Sequence, residues 1–167
     1  MKKEIIYQGK IFSVERVRKK GKDGEIINFP KTVAIIPLIS KNEIVLISQY
    51  RFPLRKYIWE IPAGKLEKGE KPEKGAEREL LEETGFRPGK LERLSEFYIS
   101  PGYSKEYMFL FKAINLRKEN QFTIPKEELI REVKIFKLRE VKTMIKEKKI
   151  LDIKTILGIS FLKNVSE

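Results

Sequence analysis

The stretch that decides the fold is Gly64-Lys-Leu-Glu-Lys-Gly-Glu70-Lys-Pro-Glu-Lys-Gly-Ala-Glu-Arg78-Glu79-Leu80-Leu-Glu82-Glu83-Thr-Gly85-Phe86. Its second half predicts a helix from Pro72 to Thr84, because proline suits the first turn and Gly85 suits the position just past the end. Ala76 and Leu80 fall on one apolar side. We therefore expect this helix to pack against a sheet.

A second face of the same helix carries negative charge. At about 100° per residue, Glu79, Glu82 and Glu83 fall within an arc of about 100°. Adjacent carboxylates repel one another, and a bound divalent cation removes that cost. Hard oxygen ligands suit Mg²⁺, and Arg78 could orient one of the carboxylates from behind. The alternative is a solvated glutamate face on a Lys- and Glu-rich protein.

Composition narrows the possible chemistry. The 167 residues include no cysteine and no histidine, which excludes thiolate and imidazole metal sites and Ser-His or Cys-His nucleophiles. A metal must then be held by oxygen, and a general base must be a carboxylate, Lys or Tyr. The formal net charge of +12 indicates either a lysine-rich solvated surface or attraction to polyanions.

The chain is also predicted to be cytoplasmic. No apolar run reaches the ~18 residues of a membrane span, and the first residues lack the apolar stretch of a signal peptide. No membrane partner is expected. No cluster of stacking aromatic residues on a basic stretch is visible, so no nucleic-acid partner is expected either.

The rest of the chain reads as short strands with a few helices. Alternating segments within residues 4–29, around a turn at Asp23-Gly24, predict an antiparallel hairpin. Buried strands are expected at 33–39 and 44–50, joined at Lys41-Asn42. Residues 53–72 hold three prolines and read mostly as loop.

The second half of the chain repeats this alternation of elements. Strands are expected near 91–99, 106–114 and 131–137, and helices over 139–148 and 152–163. The last helix has four residues on one side: Ile153, Ile156, Leu157 and Ser160. Strands interleaved with a few helices imply a mixed α/β layer fold.

The spacing within residues 64–86 resembles a known motif. It matches the Nudix box, Gly-x5-Glu-x7-Arg-Glu-U-x-Glu-Glu-x-Gly-U with U apolar, at all nine specified positions. A chance match is expected at about 10⁻⁶ per chain, so the match outweighs the solvated-face alternative. The resemblance implies a Nudix-like α/β/α sandwich with a mixed sheet.

Segments outside the box resemble one subfamily, the ADP-ribose pyrophosphatases. Gln49-Tyr50-Arg51-Phe52 and Glu60-Ile61-Pro62-Ala63-Gly64 are similar to the segments that precede the box in those enzymes. Ser100-Pro101-Gly102 follows with its proline 16 residues after Gly85. Such enzymes resemble domain-swapped homodimers. Residues 1–32 are therefore expected to be a dimer-forming hairpin segment, and 33–167 the catalytic domain.

The resemblance also implies roles for single residues. The implied metal ligands are the catalytic Glu79 and Glu83, with Glu82 close behind, and the Ala63 carbonyl. The implied substrate-binding residues are Arg51, Glu60, Ser100, Gly102, Glu106 and Phe12. Ile11 is an alternative to Phe12 for packing on adenine, and both could instead be core residues of the hairpin. Arg51 could instead form a surface salt bridge, and Glu70 is expected to be structural.

The general base is expected on a loop before a late strand. Pro125-Lys126-Glu127-Glu128 occupies that region, and the resemblance implies Glu127 first and Glu128 second as catalytic residues. Usual versions of this loop are more acidic. Both glutamates could instead simply begin a helix or turn.

The expected reaction is Mg²⁺-dependent hydrolysis of ADP-ribose to AMP and ribose 5-phosphate, with Mn²⁺ able to substitute. One alternative is hydrolysis of another nucleoside diphosphate linked to X, such as a nucleotide sugar, NADH or FAD. The other is a non-catalytic, nucleotide-sensing or RNA-binding Nudix domain.

Overall fold

The computed structural model describes residues 3–162. Its strands are β1 Lys3–Gln8, β2 Ser13–Lys19, β3 Lys22–Asn28, β4 Thr32–Ser40, β5 Glu43–Arg51, β6 Lys56–Glu60, β7 Ala63–Lys65, β8 Phe86–Arg87, β9 Lys90–Tyr98, β10 Tyr107–Ile114, β11 Arg117–Lys118 and β12 Ile130–Lys137. Its helices are α1 Pro72–Thr84, α2 Leu138–Lys146 and α3 Ile153–Phe161. No helix in this part of the chain is long and apolar enough to cross a membrane.

A mixed sheet forms the centre of the fold. Its strands run in the order β12-β5-β4-β10-β9, with β6 paired to β5 and β7 paired to β4. Only the β10–β4 pair is parallel among the pairs of this sheet. The predicted α/β sandwich with a mixed sheet is therefore confirmed.

The central strand β4 supplies the core on both faces of this sheet. Val33 and Ile35 lie in the apolar cluster that includes α1, whereas Ala34 and Ile36 lie in the cluster that includes residues of α2 and α3. All four side chains are fully buried. Successive strand residues point to opposite faces, so an unbroken apolar run is what a strand covered by helices on both sides requires.

Helix α1 has the bounds that the sequence predicts. Its Ala76 and Leu80 are fully buried. It ends at Gly85, whose φ of 74° is left-handed and whose N–H donates to the Leu81 carbonyl at 2.8 Å. Glycine adopts this conformation without steric cost. The helix is therefore fixed in length and packed against β4, β7 and β8.

The N-terminal segment contains the predicted antiparallel hairpin as β2 and β3, with a third strand added and the turn at a different place. It is a three-stranded antiparallel sheet, β1-β2-β3, and the predicted turn at Asp23-Gly24 is wrong. Those two residues lie inside β3, and the turn is at Lys20-Gly21, which have φ values of 50° and 76°. A two-residue hairpin turn of type I′ needs positive φ at both positions.

The proposed boundary at residue 32 remains a prediction, and residues 1–2 and 163–167 lie outside the described range.

Residues 53–72 are mostly loop, as the sequence predicts, but they also contain the short strands β6 and β7, each paired to a long central strand. One further expectation, on the packed side of α3, is corrected. In α3 the buried residues are Lys154, Thr155, Gly158 and Ile159, whereas Ile153 and Ser160 are exposed. The predicted side of that helix is therefore not the packed one. Residue 163, the predicted end of that helix, lies outside the described residues.

Candidate active site

A cavity of about 620 Å³ opens beside the N-terminal half of β4. Strands β5 and β7, helix α1, the start of α3 and the loop before β12 all contribute to its wall. The residues on this wall that the sequence singled out are Ile11, Arg51, Ala63, Glu79, Glu83, Glu106, Glu127 and Glu128. Residues far apart in the chain thus meet at one site.

Arg78 organises the carboxylates at the edge of this site. Its guanidinium donates to both oxygens of Glu70 at 2.9 Å. It also donates to Glu79 at 2.8 Å and to Glu82 at 2.9 Å. Through these charge-assisted bonds, Arg78 orients three carboxylates, where the sequence predicted one. The bond to Glu70 is consistent with the structural role expected for that residue.

Glu83 is the most deeply buried acid on the cavity wall. Its side chain is 1% exposed, and one oxygen accepts the N–H of Ala63 at 2.8 Å. Burial raises the pKa of Glu83 well above its usual value, and the neighbouring Glu79 adds to the rise. Burial likewise raises the pKa of Glu79 to about 6, against the opposing effect of Arg78. Negative charge in this cavity is therefore energetically costly.

The position of the Glu79 carboxylate in this structure leaves room only for glycine at position 64. A Cβ on Gly64 would lie 2.0 Å from the carboxyl carbon of Glu79, far inside van der Waals contact. The first glycine of the motif is thus a space requirement. It lets strand β7 approach the carboxylates of α1.

The donor set fits a hard divalent cation. The negatively charged side chains on this wall are all carboxylates, and hard cations prefer carboxylate and carbonyl oxygens. Among the described residues, no three acidic side chains lie close enough together to hold a metal ion as they stand. Arg78 donates to Glu79 and Glu82, and the Ala63 N–H donates to Glu83. The buried charge of Glu83 has no cationic partner in its hydrogen bonds within residues 3–162. A divalent cation would offset that charge.

The loop before β12 places its two glutamates differently. Both line the cavity, but Glu127 is exposed and Glu128 is half-buried. Burial, reinforced by the charge of Glu82, raises the pKa of Glu128. The loop is held to β5 by bonds from the Gln49 side chain to the Glu128 carbonyl, 2.8 Å, and from the Tyr50 N–H to the Leu129 carbonyl, 3.0 Å. Glu128 is thus the better anchored of the two.

Arg51 and Glu60 form a buried ion pair. The Arg51 guanidinium donates to the two oxygens of Glu60 at 2.8 and 2.9 Å. Arg51 lies on the cavity wall, whereas Glu60 is fully buried behind it. Glu60 has no exposed surface in this structure and reaches the cavity through Arg51, so its contact with the substrate stays a prediction. For Arg51, the alternative of a surface salt bridge is excluded by the buried partner.

The remaining predicted contacts divide into two groups. Glu106 lies on the cavity wall, and burial raises its pKa against the opposing charge of Lys154. Phe12 packs on Tyr7, with ring centroids 5.6 Å apart, and is not among the residues lining the cavity, whereas Ile11 and Phe29 are. Ile11 and Phe29 are thus the apolar side chains that residues 3–31 contribute to this cavity.

Ser100 and Gly102 also lie off the cavity wall. Ile99 and Glu106, at the two ends of their loop, line it instead. The Ser100 carbonyl accepts the N–H of Ser104 at 2.9 Å, which closes the turn. The expected substrate contacts of Ser100 and Gly102 are therefore not found in this cavity, and the loop shapes its rim.

Two charged cavity residues were not predicted from the sequence: Asp152 and Lys154. Asp152 caps α3 by accepting the Thr155 N–H at 2.9 Å. An aspartate just before an apolar run is typical of a helix N-cap, so the sequence could have predicted this role. The burial of Lys154 could not be predicted, because it depends on Glu60, 94 residues away.

Comparison with known proteins identifies the family. A model of the NUDIX domain matches residues 28–155. The chain belongs to the Nudix family. The predicted resemblance is thereby confirmed, and the protein is a Nudix pyrophosphohydrolase. Nudix hydrolases generally need a divalent metal ion, which agrees with the all-oxygen donor set.

Individual relatives cover nearly the whole Nudix chain. A "Methanol dehydrogenase activator" of Bacillus methanolicus is 40% identical over 98% of this chain and 91% of its own length. An "ADP-ribose pyrophosphatase" of Bacillus subtilis (strain 168) is 36% identical over 96% of this chain and 90% of its own. A solved structure titled "Crystal structure of ADP compounds hydrolase" superposes with a TM-score of 0.82 at 21% identity, covering 99% of this chain and 91% of that one. The last comparison concerns the fold alone.

Proposed function

We propose that this Nudix hydrolase cleaves the diphosphate bond of ADP-ribose to give AMP and ribose 5-phosphate. The observation that carries the proposal is the meeting of Glu79, Glu83 and Glu128 with Arg51 in one cavity. Its volume of about 620 Å³ lies within the usual range for small-molecule sites. The similarity to an ADP-ribose pyrophosphatase over almost the whole chain supports the same substrate.

The proposed cofactor is Mg²⁺, with Mn²⁺ as a substitute. Glu79, Glu82, Glu83 and the carbonyl of Ala63 would hold it, because they are the oxygen groups gathered at the cavity edge. When bound, the ion neutralises the diphosphate and polarises its phosphoryl oxygens. Arg78 keeps two of these glutamates oriented, and Gly64 leaves Glu79 the space that it occupies.

Glu128 is our candidate for the general base, ahead of Glu127. A base works best when its pKa is close to the working pH, and burial raises the pKa of Glu128. Its carboxylate would take a proton from the attacking water, and its backbone is anchored to Gln49. This order reverses the one that the resemblance implied.

The two ends of the cavity suit the two ends of the substrate. Ile11 and Phe29 offer apolar surface for a base, and the Glu106 carboxylate offers an acceptor for ribose hydroxyls. Hydrogen bonds to hydroxyls can discriminate strongly against compounds that lack them. A positively charged Arg51 between these ends would bind the diphosphate.

We also propose a homodimer formed through the β1-β2-β3 sheet. Several large apolar side chains are exposed on it, at 67% for Ile5, 53% for Tyr7, 54% for Ile11 and 38% for Phe12. Contiguous exposed apolar surface of this kind usually marks an interface. A partner strand or face would cover it.

A second candidate function is activation of a dehydrogenase. It is favoured by the 40% identity to a protein named methanol dehydrogenase activator. Both candidates can be tested together by assaying a methanol dehydrogenase with wild-type protein and with a hydrolysis-deficient Glu83→Gln variant. Activation that survives loss of hydrolysis separates the two functions.

The deciding experiment is a substrate panel. ADP-ribose, an ADP-hexose, NADH, FAD and ATP are compared by kcat/KM at one Mg²⁺ concentration, with EDTA and Mn²⁺ as further conditions. We expect ADP-ribose to be preferred and EDTA to abolish turnover. A tenfold preference for ATP or FAD would overturn the substrate assignment and leave the family assignment intact.

A further inference from the structure

The segment from Glu60 to Ala63, at the back of the cavity, is fixed at every residue. Glu60 is held through its side chain by Arg51 and Lys154. The Ile61 N–H donates to the Thr155 hydroxyl at 2.9 Å. The Pro62 carbonyl accepts the Ile35 N–H at 2.9 Å, and the Ala63 N–H donates to Glu83. Two of these five partners, Lys154 and Thr155, lie at the start of α3.

Lys154 contributes a positive charge to the bonds that hold this segment. It is only 9% exposed, yet it lines the cavity. Its ammonium group donates to Glu60 and, at 2.8 Å, to Asp152. A lysine is rarely buried without partners, and both partners here are carboxylates. One of its three N–H donors remains beyond these two bonds.

The net charge is zero among the four paired side chains around Glu60 only when Lys154 is present. Arg51 and Lys154 face Glu60 and Asp152, two positive groups against two negative ones. Without Lys154 a buried net negative charge would compete for the guanidinium of Arg51. The wall already carries Glu83 and Glu106, so an anionic ligand would meet a more negative cavity.

We propose, resting on the diphosphate-binding function above, that Lys154 is a positioning residue for substrate binding. Through Glu60 it fixes the Arg51 guanidinium on the cavity wall. Glu60 engages the Nε and one terminal nitrogen of Arg51, which leaves further donors of the same planar group for phosphate oxygens. Lys154 thus sets the affinity for the diphosphate and leaves the chemical step to the carboxylates.

The test compares Lys154→Met with Lys154→Arg and with the control Lys142→Met. Lys142 is an exposed lysine of α2, so its replacement removes one charge away from the cavity. We expect Lys154→Met to raise KM for ADP-ribose by about tenfold with kcat changed less than threefold, the signature of lost uniform binding. Lys154→Arg should recover most of the affinity, and Lys142→Met should resemble the wild type.

Inorganic pyrophosphate binding in EDTA, measured by calorimetry, gives a readout that needs neither turnover nor metal. Lys154→Met should weaken it by a similar factor. In a double-mutant cycle with Arg51→Met, adding Lys154→Met should change affinity less than twofold, because the effect passes through Arg51. Additive effects would overturn the inference.

Other outcomes are equally decisive. A fall in kcat with unchanged KM, failure of Lys154→Arg to restore affinity, or no pyrophosphate binding by the wild type each overturns the positioning role. Wild-type pyrophosphate binding that weakens in Lys154→Met, without hydrolysis of any diphosphate compound, sustains the inference and refutes the proposed function. If Lys154→Met does not fold, Lys154→Gln replaces it, because glutamine also removes the positive charge while its amide keeps the buried Glu60 hydrogen-bonded.

Discussion

Replacing Glu83 by glutamine should stabilise the metal-free protein while removing its response to Mg²⁺. Glu83 is 1% exposed, and its carboxylate faces other acids and has the Ala63 N–H as a donor. Glutamine keeps an acceptor oxygen for that N–H and removes the buried charge. The effect on stability and the effect on function should therefore have opposite signs.

The magnitude follows from the cost of burying a poorly compensated polar group, about 1–3 kcal/mol. For a chain of this length, about 1 kcal/mol corresponds to roughly 2–4 °C in Tm. We therefore expect a Tm increase of about 2–12 °C for Glu83→Gln in EDTA. Wild-type protein should instead gain about 2.7 kcal/mol when Mg²⁺ is present at 100 times its dissociation constant.

The assay is thermal unfolding of both proteins in EDTA and in a Mg²⁺ series, with turnover measured in parallel. A matched control is Glu77→Gln on the same helix, since Glu77 is exposed and pairs with the exposed Lys74. Such pairs contribute little, so the control should unfold like the wild type. A Glu83→Gln protein that is less stable than wild type in EDTA and responds equally to Mg²⁺ would refute the reasoning.

Three further predictions concern the base, the motif glycine and the assembly. Glu128→Gln should lower kcat by about 10²–10⁴-fold, whereas Glu127→Gln should stay within about threefold; steady-state kinetics showing the reverse order would return the base to Glu127. Gly64→Ala should displace the Glu79 carboxylate and lower kcat by about 10–100-fold with the fold retained, as measured by kinetics and circular dichroism; unchanged activity would mean that Glu79 has room to spare. Sedimentation at micromolar concentration should give twice the 19.7 kDa chain mass, and a fully active monomer contradicts the dimer.

The sequence by itself determined the elements whose causes are local. The bounds of α1 follow from Pro72 and Gly85, whose backbone preferences act within one turn of the helix. The buried strands β4 and β5 follow from unbroken apolar runs. The shared face of Glu79, Glu82 and Glu83, the proposed metal ligands, follows from helical spacing, because residues three and four apart lie on one side of a helix.

Features that depend on long-range partners needed the tertiary structure. The turn at Lys20-Gly21 was missed because a lysine rarely adopts positive φ, and here the strand register imposes it. The proposed order of the candidate bases depends on burial, which is greater for Glu128 than for Glu127.

The start of α3 is the clearest case of a feature decided by tertiary structure. Its apolar residues suggested one packed side, yet Lys154 and Thr155 are the residues turned inward. The reason is that burying a lysine is favourable only beside a carboxylate, and that carboxylate, Glu60, comes from a strand 94 residues earlier. Periodicity within a helix carries no information about such a partner. The sequence thus determined what chemistry the protein holds, and the packing of distant segments decided which side chains are placed to perform it.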